Sequence, residues 1–438
     1  MIAKIKKSIT SLDSHTLEVL KKSFSSSLVK ILGMFFGVLI SIALGRILGP
    51  RGLGIINLAN QIVSILMIFS LLGMQLVIVK EVAIARNQKN MSHLGDVMHT
   101  SYLINGGLAI IVSGLLILAT PILVEYVFDE PKLKFPLIIA LIAMIFQVFS
   151  RIFSSGLVGY QKIWQSSFVE NTLSIGIVGV ILFFLWSSNS NITIISASVA
   201  FAIGRVFVTF VTWVYWKKIY TFKSRRSFIP RKLIKNALPL LIATLTSAVA
   251  AGISIIFLGW LSDASEVGLF SVAVRLGLLT SFFLLVVNNA VSSKIAAFFA
   301  DKKLDEIQRL IRHISKTLII FSSISLLVIF LGGQFFLSFW GEEFINAYWM
   351  LVILSIGQFS NISTGITGIV LIMCGEEKIY SKIAVLFVII TIILNYFFIS
   401  SYGGIGAAVA TAATVIGRNV VEVVVVKYKL KFSMIPFI

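Results

Sequence analysis

The chain is short of negative charge. Against 37 Lys and Arg stand 18 Asp and Glu, a formal net charge of +19 over 438 residues. Such a balance points to phosphate, whether in nucleic acid or at a membrane surface. Charged residues of both signs make up 13% of the chain while 58% is hydrophobic, which excludes a soluble domain. The single cysteine, Cys374, excludes an intrachain disulfide. Four histidines, His15, His93, His99 and His313, lack metal-ligand spacing and read as surface or interfacial residues, so no metal and no cofactor is expected. Long polar loops are missing as well. No stretch joining apolar runs exceeds about two dozen residues, too few for a soluble catalytic domain, a Walker-type phosphate loop or a dinucleotide fingerprint. No carboxylate pair or Ser/His/Asp grouping falls at one depth. A transporter is expected rather than an enzyme, driven by something other than ATP hydrolysis in this chain.

What is abundant is apolar sequence in runs of spanning length, since about 20 residues at roughly 1.5 Å rise cross the hydrocarbon core. The stretch that organises the rest is LGRILGPRGLGIINLANQ, Leu44 to Gln61, where one run ends at Gly45, a Gly/Pro turn carries Arg46, Pro50 and Arg51, and the next begins at Ile55. It returns as LGWLSDASEVGLFSVAVR, Leu258 to Arg275, with Gly45 and Gly54 matched by Gly259 and Gly268. Lys80 matches Lys294, Gly-Tyr-Gln-Lys-Ile-Trp at 159–164 matches Gly-Glu-Glu-Lys-Ile-Tyr at 375–380, and Ile-Gly-Arg recurs at 203–205 and 416–418. Four matches in order at a near-constant offset argue for an internal duplication. The expected fold class is all-α integral membrane, with 12 transmembrane helices at about 25–45, 55–79, 101–124, 135–157, 167–187, 193–216, 237–261, 268–293, 315–337, 346–373, 382–400 and 405–426, in two pseudo-symmetric six-helix lobes.

The expected organisation is an interfacial segment over 1–23, an N-lobe over 24–216, a basic linker over 217–236, a C-lobe over 237–426 and a tail over 427–438. Residues 1–23 lack a long apolar core and a small-residue cleavage site, so no signal peptide is expected. They read either as an amphipathic surface helix, with Ile5, Ile9, Leu12, Val19 and Leu20 among lysines, or as a disordered tail. With the N-terminus inside, most Lys and Arg fall in inside segments, and outside there are Arg46, Arg51, Lys132 and Lys134. This positive-inside bias puts both termini in the cytoplasm and decides against nucleic acid. The linker carries eight Lys or Arg and no acid (Lys217, Lys218, Lys223, Arg225, Arg226, Arg231, Lys232, Lys235). It reads as a contact with anionic headgroups or as a plain topology signal.

Polar side chains within the spans are the candidate functional groups. Helix 1 sets Gly33, Gly37, Ser41 and Gly45 at spacing four, a packing pattern, with Lys30 on the same side. Helix 2 carries Asn57, Gln61, Ser64 and Gln75 along one side with Asn60 beside them, facing protein or a wet cavity rather than lipid. Arg151 and Glu170 lie at similar depth and read as a buried ion pair or as transport groups. Arg205 and its repeat partner Arg418, with Glu422 one turn away, read as functional charges or as a duplicated clasp. Helix 7 is expected to open with Pro239 in its first turn. Helix 8 places Ser271, Arg275 and Asn289 on one side, with Asn288 adjacent and Arg275 about 10 Å below the outer boundary. No acid of helices 1, 2, 7 or 8 lies at that depth, so Arg275 is expected to face carbonyls, water or an anionic ligand.

LGRILGPRGLG after a small-residue helix with basic flanks resembles the first hairpin of the polysaccharide-transporter family. These are Wzx-type flippases of lipid-linked oligosaccharides, in the superfamily (MOP) that also holds MATE multidrug exporters and peptidoglycan lipid flippases. The resemblance covers the whole chain. It implies a MATE-like fold with a V-shaped central cavity lined by helices 1, 2, 7 and 8, which brings in Lys30, Arg46, Asn57, Asn60, Gln61, Arg275 and Asn289 as substrate-binding residues. It implies a polyprenyl-pyrophosphate-linked oligosaccharide moved from the cytoplasmic to the outer leaflet of a bacterial inner membrane. The partners implied are that lipid-linked oligosaccharide, membrane lipid, a polysaccharide polymerase and a chain-length partner. Because the four cavity helices carry basic but no acidic groups between their ends, a pyrophosphate suits them better than an organic cation. The rival readings are a cation-coupled multidrug exporter, a membrane polymerase and a non-transporting scaffold of a glycan assembly complex.

Overall fold

A computed structural model gives the chain as helical, with no strand among the described residues. These are 14–221, 227–280, 282–431 and 434, with side chains described from residue 28 except at 251, 282, 283, 285, 286, 289, 290 and 293. The surface helix expected over 1–23 lies outside them up to residue 13. The elements are α1 Ser14–Leu71, α2 Met74–Asn87, α3 Met91–Ile122, α4 Lys134–Gly159, α5 Ile163–Ser187, α6 Ile194–Ile219 and α7 Pro230–Leu261. They continue as α8 Ala264–Thr280, α9 Phe282–Ala300, α10 Leu304–Ser338, α11 Tyr348–Ser363, α12 Thr367–Met373 and α13 Glu377–Leu430. Among the described residues, nine helical stretches are long and apolar enough to cross a membrane.

Two of these are too long for one crossing. Leu28–Leu71 has 44 residues; straight, it would reach about 66 Å against a hydrocarbon core of roughly 30 Å. It breaks at Gly49 (φ 67°, ψ −178°), a conformation that glycine alone reaches without strain. Pro50 follows, suited to the first turn of the second arm because no helical N–H is lost there. In α13 the break is Gly403 (φ 52°, ψ −130°). The turns expected at these two places are therefore single residues, not loops.

Three further departures have local causes. The helix expected over 55–79 stops at Leu72 and Gly73, both at positive φ, and α2 restarts at Met74 and runs through Lys80. Gly73 lies against the backbone of Ala237 and Leu241, where a Cβ would stand 2.7 Å from the Ala237 carbonyl oxygen. The span expected over 346–373 breaks between α11 and α12 at Gly365 (φ 77°). Pro239 is interior to α7, and the first-turn position belongs to Pro230.

The described chain forms two compact units. One comprises the residues up to Ala43, Val63–Pro121 and Lys134–Thr244; the other comprises Leu44–Ile62, Ile122–Leu133 and the residues from Leu245 on. The first is built on α4 and α6. Leu137, Leu141, Met144, Val148 and Ile152 recur at three- and four-residue steps on α4 and have no exposed surface, a helical stripe turned to the core. In the second, α13 buries Gly404, Gly406, Ala407, Ala408, Ala410 and Ala412, small residues that let helices approach. Exposed Phe183, Phe184 and Trp186 suit a lipid surface.

Part of the basic linker is held by acids and hydroxyls of the first unit. Asp96 accepts from the Ser227 amide at 2.6 Å and Thr100 from the Ile229 amide at 3.0 Å. Buried Glu81 accepts from Lys232 at 3.2 Å and lies 2.9 Å from His93 Nε2. Burial on its own would raise the Glu81 carboxyl, but the hydrogen bonds from His93 and Lys232 outweigh it and hold the group below the usual carboxylate range. A depressed carboxyl contributes stability above its unfolded pKa and loses it as the pH falls through the folded one. Glu81→Gln is therefore expected to cost about 2 kcal/mol at neutral pH. Thermal unfolding in detergent at neutral and acidic pH should show that difference closing in acid.

Candidate functional site

The tip of α1 seats itself on α7 and α8 inside the second unit. A methyl group built at Gly54 would overlap the Ala264 carbonyl, and one built at Gly268 would overlap that of Pro50. Gly259 faces Leu58, whose Cδ2 would lie 2.6 Å from an added Cβ, and Gly252 lies directly under the Gln61 amide. Gly252 and Gly259 are seven residues apart, hence on one face of α7. Backbones come this close only where side chains are missing.

This packing decides what each polar group of the hairpin does. Gln61 is pinned on Gly252. Asn60 donates to the Ile56 carbonyl of its own helix at 2.9 Å. The Asn57 amide nitrogen is buried without an acceptor, and Ser271 Oγ on α8 is likewise buried and unpartnered. Arg275, one turn beyond Ser271, is partly buried. Arg46 is exposed at the turn and donates to the Phe339 carbonyl at 2.7 Å, beside Gly45, which lies under the Trp340 ring. Arg51 pairs with Glu130 at 2.8 Å. The Asn289 side chain lies outside the described residues. Arg46, Asn57, Asn60, Gln61 and Arg275 thus belong to one unit. Residues 55–62 and 268–280 hold no acid, so the groups offered here are amide N–H and guanidinium, donors that match acceptor-rich anionic ligands.

Lys30 belongs to the first unit and is exposed. Its arm of α1 is fastened to α5: Thr172 donates to the Val29 carbonyl at 2.9 Å, and Gly33 abuts the Asn171 carbonyl. Both partners stand in a π-helical turn, Phe168–Leu173, an irregularity that often accompanies function. The same turn carries Glu170, which receives Arg151 Nη1 at 2.7 Å, the ion pair expected from their common depth. Arg205 is within electrostatic reach of Arg151.

In the second unit Arg418 binds Glu422 at 2.8 Å one turn along the same helix, and its guanidinium lies 5.1 Å from the Tyr380 ring centre. Buried Glu422 also accepts from Thr367 at 3.0 Å. The position equivalent to Glu422 in the first half is Thr209, whose hydroxyl donates to the Arg205 and Phe146 carbonyls at 2.8 Å. The two repeat-related arginines therefore have different neighbours. Sequence reasoning missed Glu266, whose carboxylate accepts from Ser262 at 3.1 Å and from the Gly404 amide, capping the break in α13. Nothing in the residue pattern around Glu266 signals a contact 138 positions away.

A family model for polysaccharide biosynthesis proteins matches residues 19–293, more than half of the chain. No curated protein matches by sequence. Among solved structures, the lipid II flippase MurJ in an inward closed conformation is similar at 17% identity and TM-score 0.74, over 93% of this chain and 87% of that one. An inward-facing multidrug resistance MATE family transporter of the MOP superfamily is similar at 14% identity and TM-score 0.72, over 92% and 98%. A MOP superfamily transporter from Pyrococcus furiosus, described as having a binding pocket of reverse polarity, is similar at 14% identity and TM-score 0.63, over 94% and 96%. At these identities the likeness is one of fold.

Proposed function

The chain belongs to the family of polysaccharide biosynthesis proteins, and from that premise we propose that it is a flippase of a polyprenyl-pyrophosphate-linked oligosaccharide. It moves an O-antigen or capsule repeat unit from the cytoplasmic to the outer leaflet of the inner membrane, with both termini cytoplasmic. Transport proceeds by alternating access to either membrane surface, a mode that repeat-built transporters share. Arg275, Lys30 and Arg46 serve the pyrophosphate, and Asn57 and Asn289 serve sugar hydroxyls, whereas Asn60 and Gln61, held at Ile56 and Gly252, shape the wall beside them. Arg151, Glu170, Arg205 and Arg418 serve as coupling or structural charges.

The observation that carries this reading is the buried Asn57 amide without an acceptor, on a segment that holds no acid. A buried donor left unmet costs about 1–3 kcal/mol, which a ligand rich in oxygen acceptors would recover and an organic cation would not. A fold shared with MATE transporters does not conflict with this, since pocket polarity differs within that fold.

The test is reconstitution of the purified protein into vesicles with a fluorescent polyprenyl-pyrophosphate oligosaccharide, with and without ion gradients. Movement of the label to the far leaflet at several times the protein-free rate is expected. Export of cationic dyes in place of that movement would refute the assignment and favour the drug exporter.

A further inference from the structure

A groove of about 570 Å³ opens in the first unit where α3, α4 and α6 meet, and none of the residues assigned above to substrate binding lines it. Its size falls within the ordinary range for ligand sites. The floor is aromatic and built to stay so. Phe149 lies over Gly106 and Trp216 over Gly156, where an added Cβ would stand 2.6 Å and 2.7 Å from the rings. Phe153 and Trp216 are buried, while Phe146, Phe210 and Trp213 form an exposed rim.

The polar atoms are few and unevenly placed. Thr209 and Tyr220 direct their hydroxyls to backbone carbonyls at 2.8 Å and 3.1 Å. At the mouth stands Lys217, exposed, with its ammonium 3.8 Å from the centre of the Trp213 ring. An ammonium stacked on an indole face turns part of its N–H toward the ring and keeps the outward N–H donors for an anion. No acid lines the groove, and the linker that begins at Lys217 holds eight Lys or Arg and no acid. Trp and Lys together mark the level of lipid headgroups, and basic pockets between membrane helices hold lipid phosphates.

We propose that this groove binds one anionic phospholipid of the surrounding bilayer, with an acyl chain along the aromatic floor and the phosphate on Lys217. The apolar lining of the cavity and the single cation at its mouth match that ligand at both ends. A neutral zwitterionic lipid would bring a choline or ethanolamine cation toward Lys217 and is disfavoured.

Native mass spectrometry of the protein with dioleoyl phosphatidylglycerol or dioleoyl phosphatidylcholine tests this without any sugar or transport step. One phosphatidylglycerol should stay bound at activation energies that strip phosphatidylcholine. Lys217→Gln should lower the retained fraction at least fivefold; Lys217 is exposed, so the fold survives the change. Val206→Trp, which fills the groove and leaves Lys217 in place, should do the same, and Lys218→Gln should change nothing. Equal retention in Lys217→Gln, or an equal loss in Lys218→Gln, would overturn the site in favour of diffuse surface charge. Displacement of phosphatidylglycerol by equimolar polyprenyl phosphate would overturn it in favour of the substrate's own carrier.

Discussion

Arg275→Ala is expected to cut surface polysaccharide at least tenfold in cells holding the same amount of folded protein. Arg275 lies on α8 in a stretch, 268–280, that holds no acid. A unit-charge pair at 4 Å is worth about 4 kcal/mol at an effective dielectric of 20, close to a thousandfold in affinity. Desolvation of the guanidinium and the phosphate takes back part of that, so tenfold is the lower bound. Arg275→Lys keeps the charge and loses the planar fork, and should fall between the two. Arg275→Glu should be worse than Arg275→Ala, because it reverses the sign the ligand meets. Thermal stability in detergent separates a binding defect from a folding one. Normal polymer at normal protein level in Arg275→Ala would remove the residue from the binding role.

Gly54→Ala should have the second largest effect, on stability. The obstacle to its methyl group is the Ala264 carbonyl, with the Gly268 amide behind it. Both are backbone, so no rotamer change relieves the clash and the helices must part. Overpacking costs about 1–3 kcal/mol where side chains can give way, and more where they cannot. Gly268→Ala meets the Pro50 carbonyl and should match it. Gly107 and Gly114 on α3 have nothing within 4 Å of an added Cβ. Alanine there should be neutral or stabilise by about 0.5–1 kcal/mol, through helix propensity. Melting temperatures of the four variants in one detergent decide the matter. If Gly54→Ala melts with Gly114→Ala, the close seating of the tip is refuted.

Long periodic features are legible in the sequence. Spanning runs announce themselves by length, and the glycines at 45, 54, 259 and 268 are readable as landmarks of the duplication, while their close packing shows only in the fold. The ion pairs Arg151–Glu170 and Arg418–Glu422 were readable from depth and from one-turn spacing. What escaped depends on residues far apart in the chain. Asn60 turning back on Ile56, and Gln61 lying on Gly252, follow from packing that a polar stripe does not record. The linker reads by charge as a headgroup contact or a plain topology signal, and neither reading records that Glu81, Asp96 and Thr100 hold part of it. The π-turn under Glu170 has no residue signature, since one extra residue per turn changes no composition. The aromatic groove needs three helices to exist, and each alone shows ordinary lipid-facing rings.

A helix break confined to one glycine has an effect on what a protease can reach. At Gly49 helix resumes at once on both sides, and the adjoining Gly45, Gly54 and Pro50 are buried. A protease must thread several residues of extended backbone through its cleft, and this bend has none to lend. Resistance to digestion at this bend is therefore expected from chain geometry alone, with neither glycans nor disulfides to shield it.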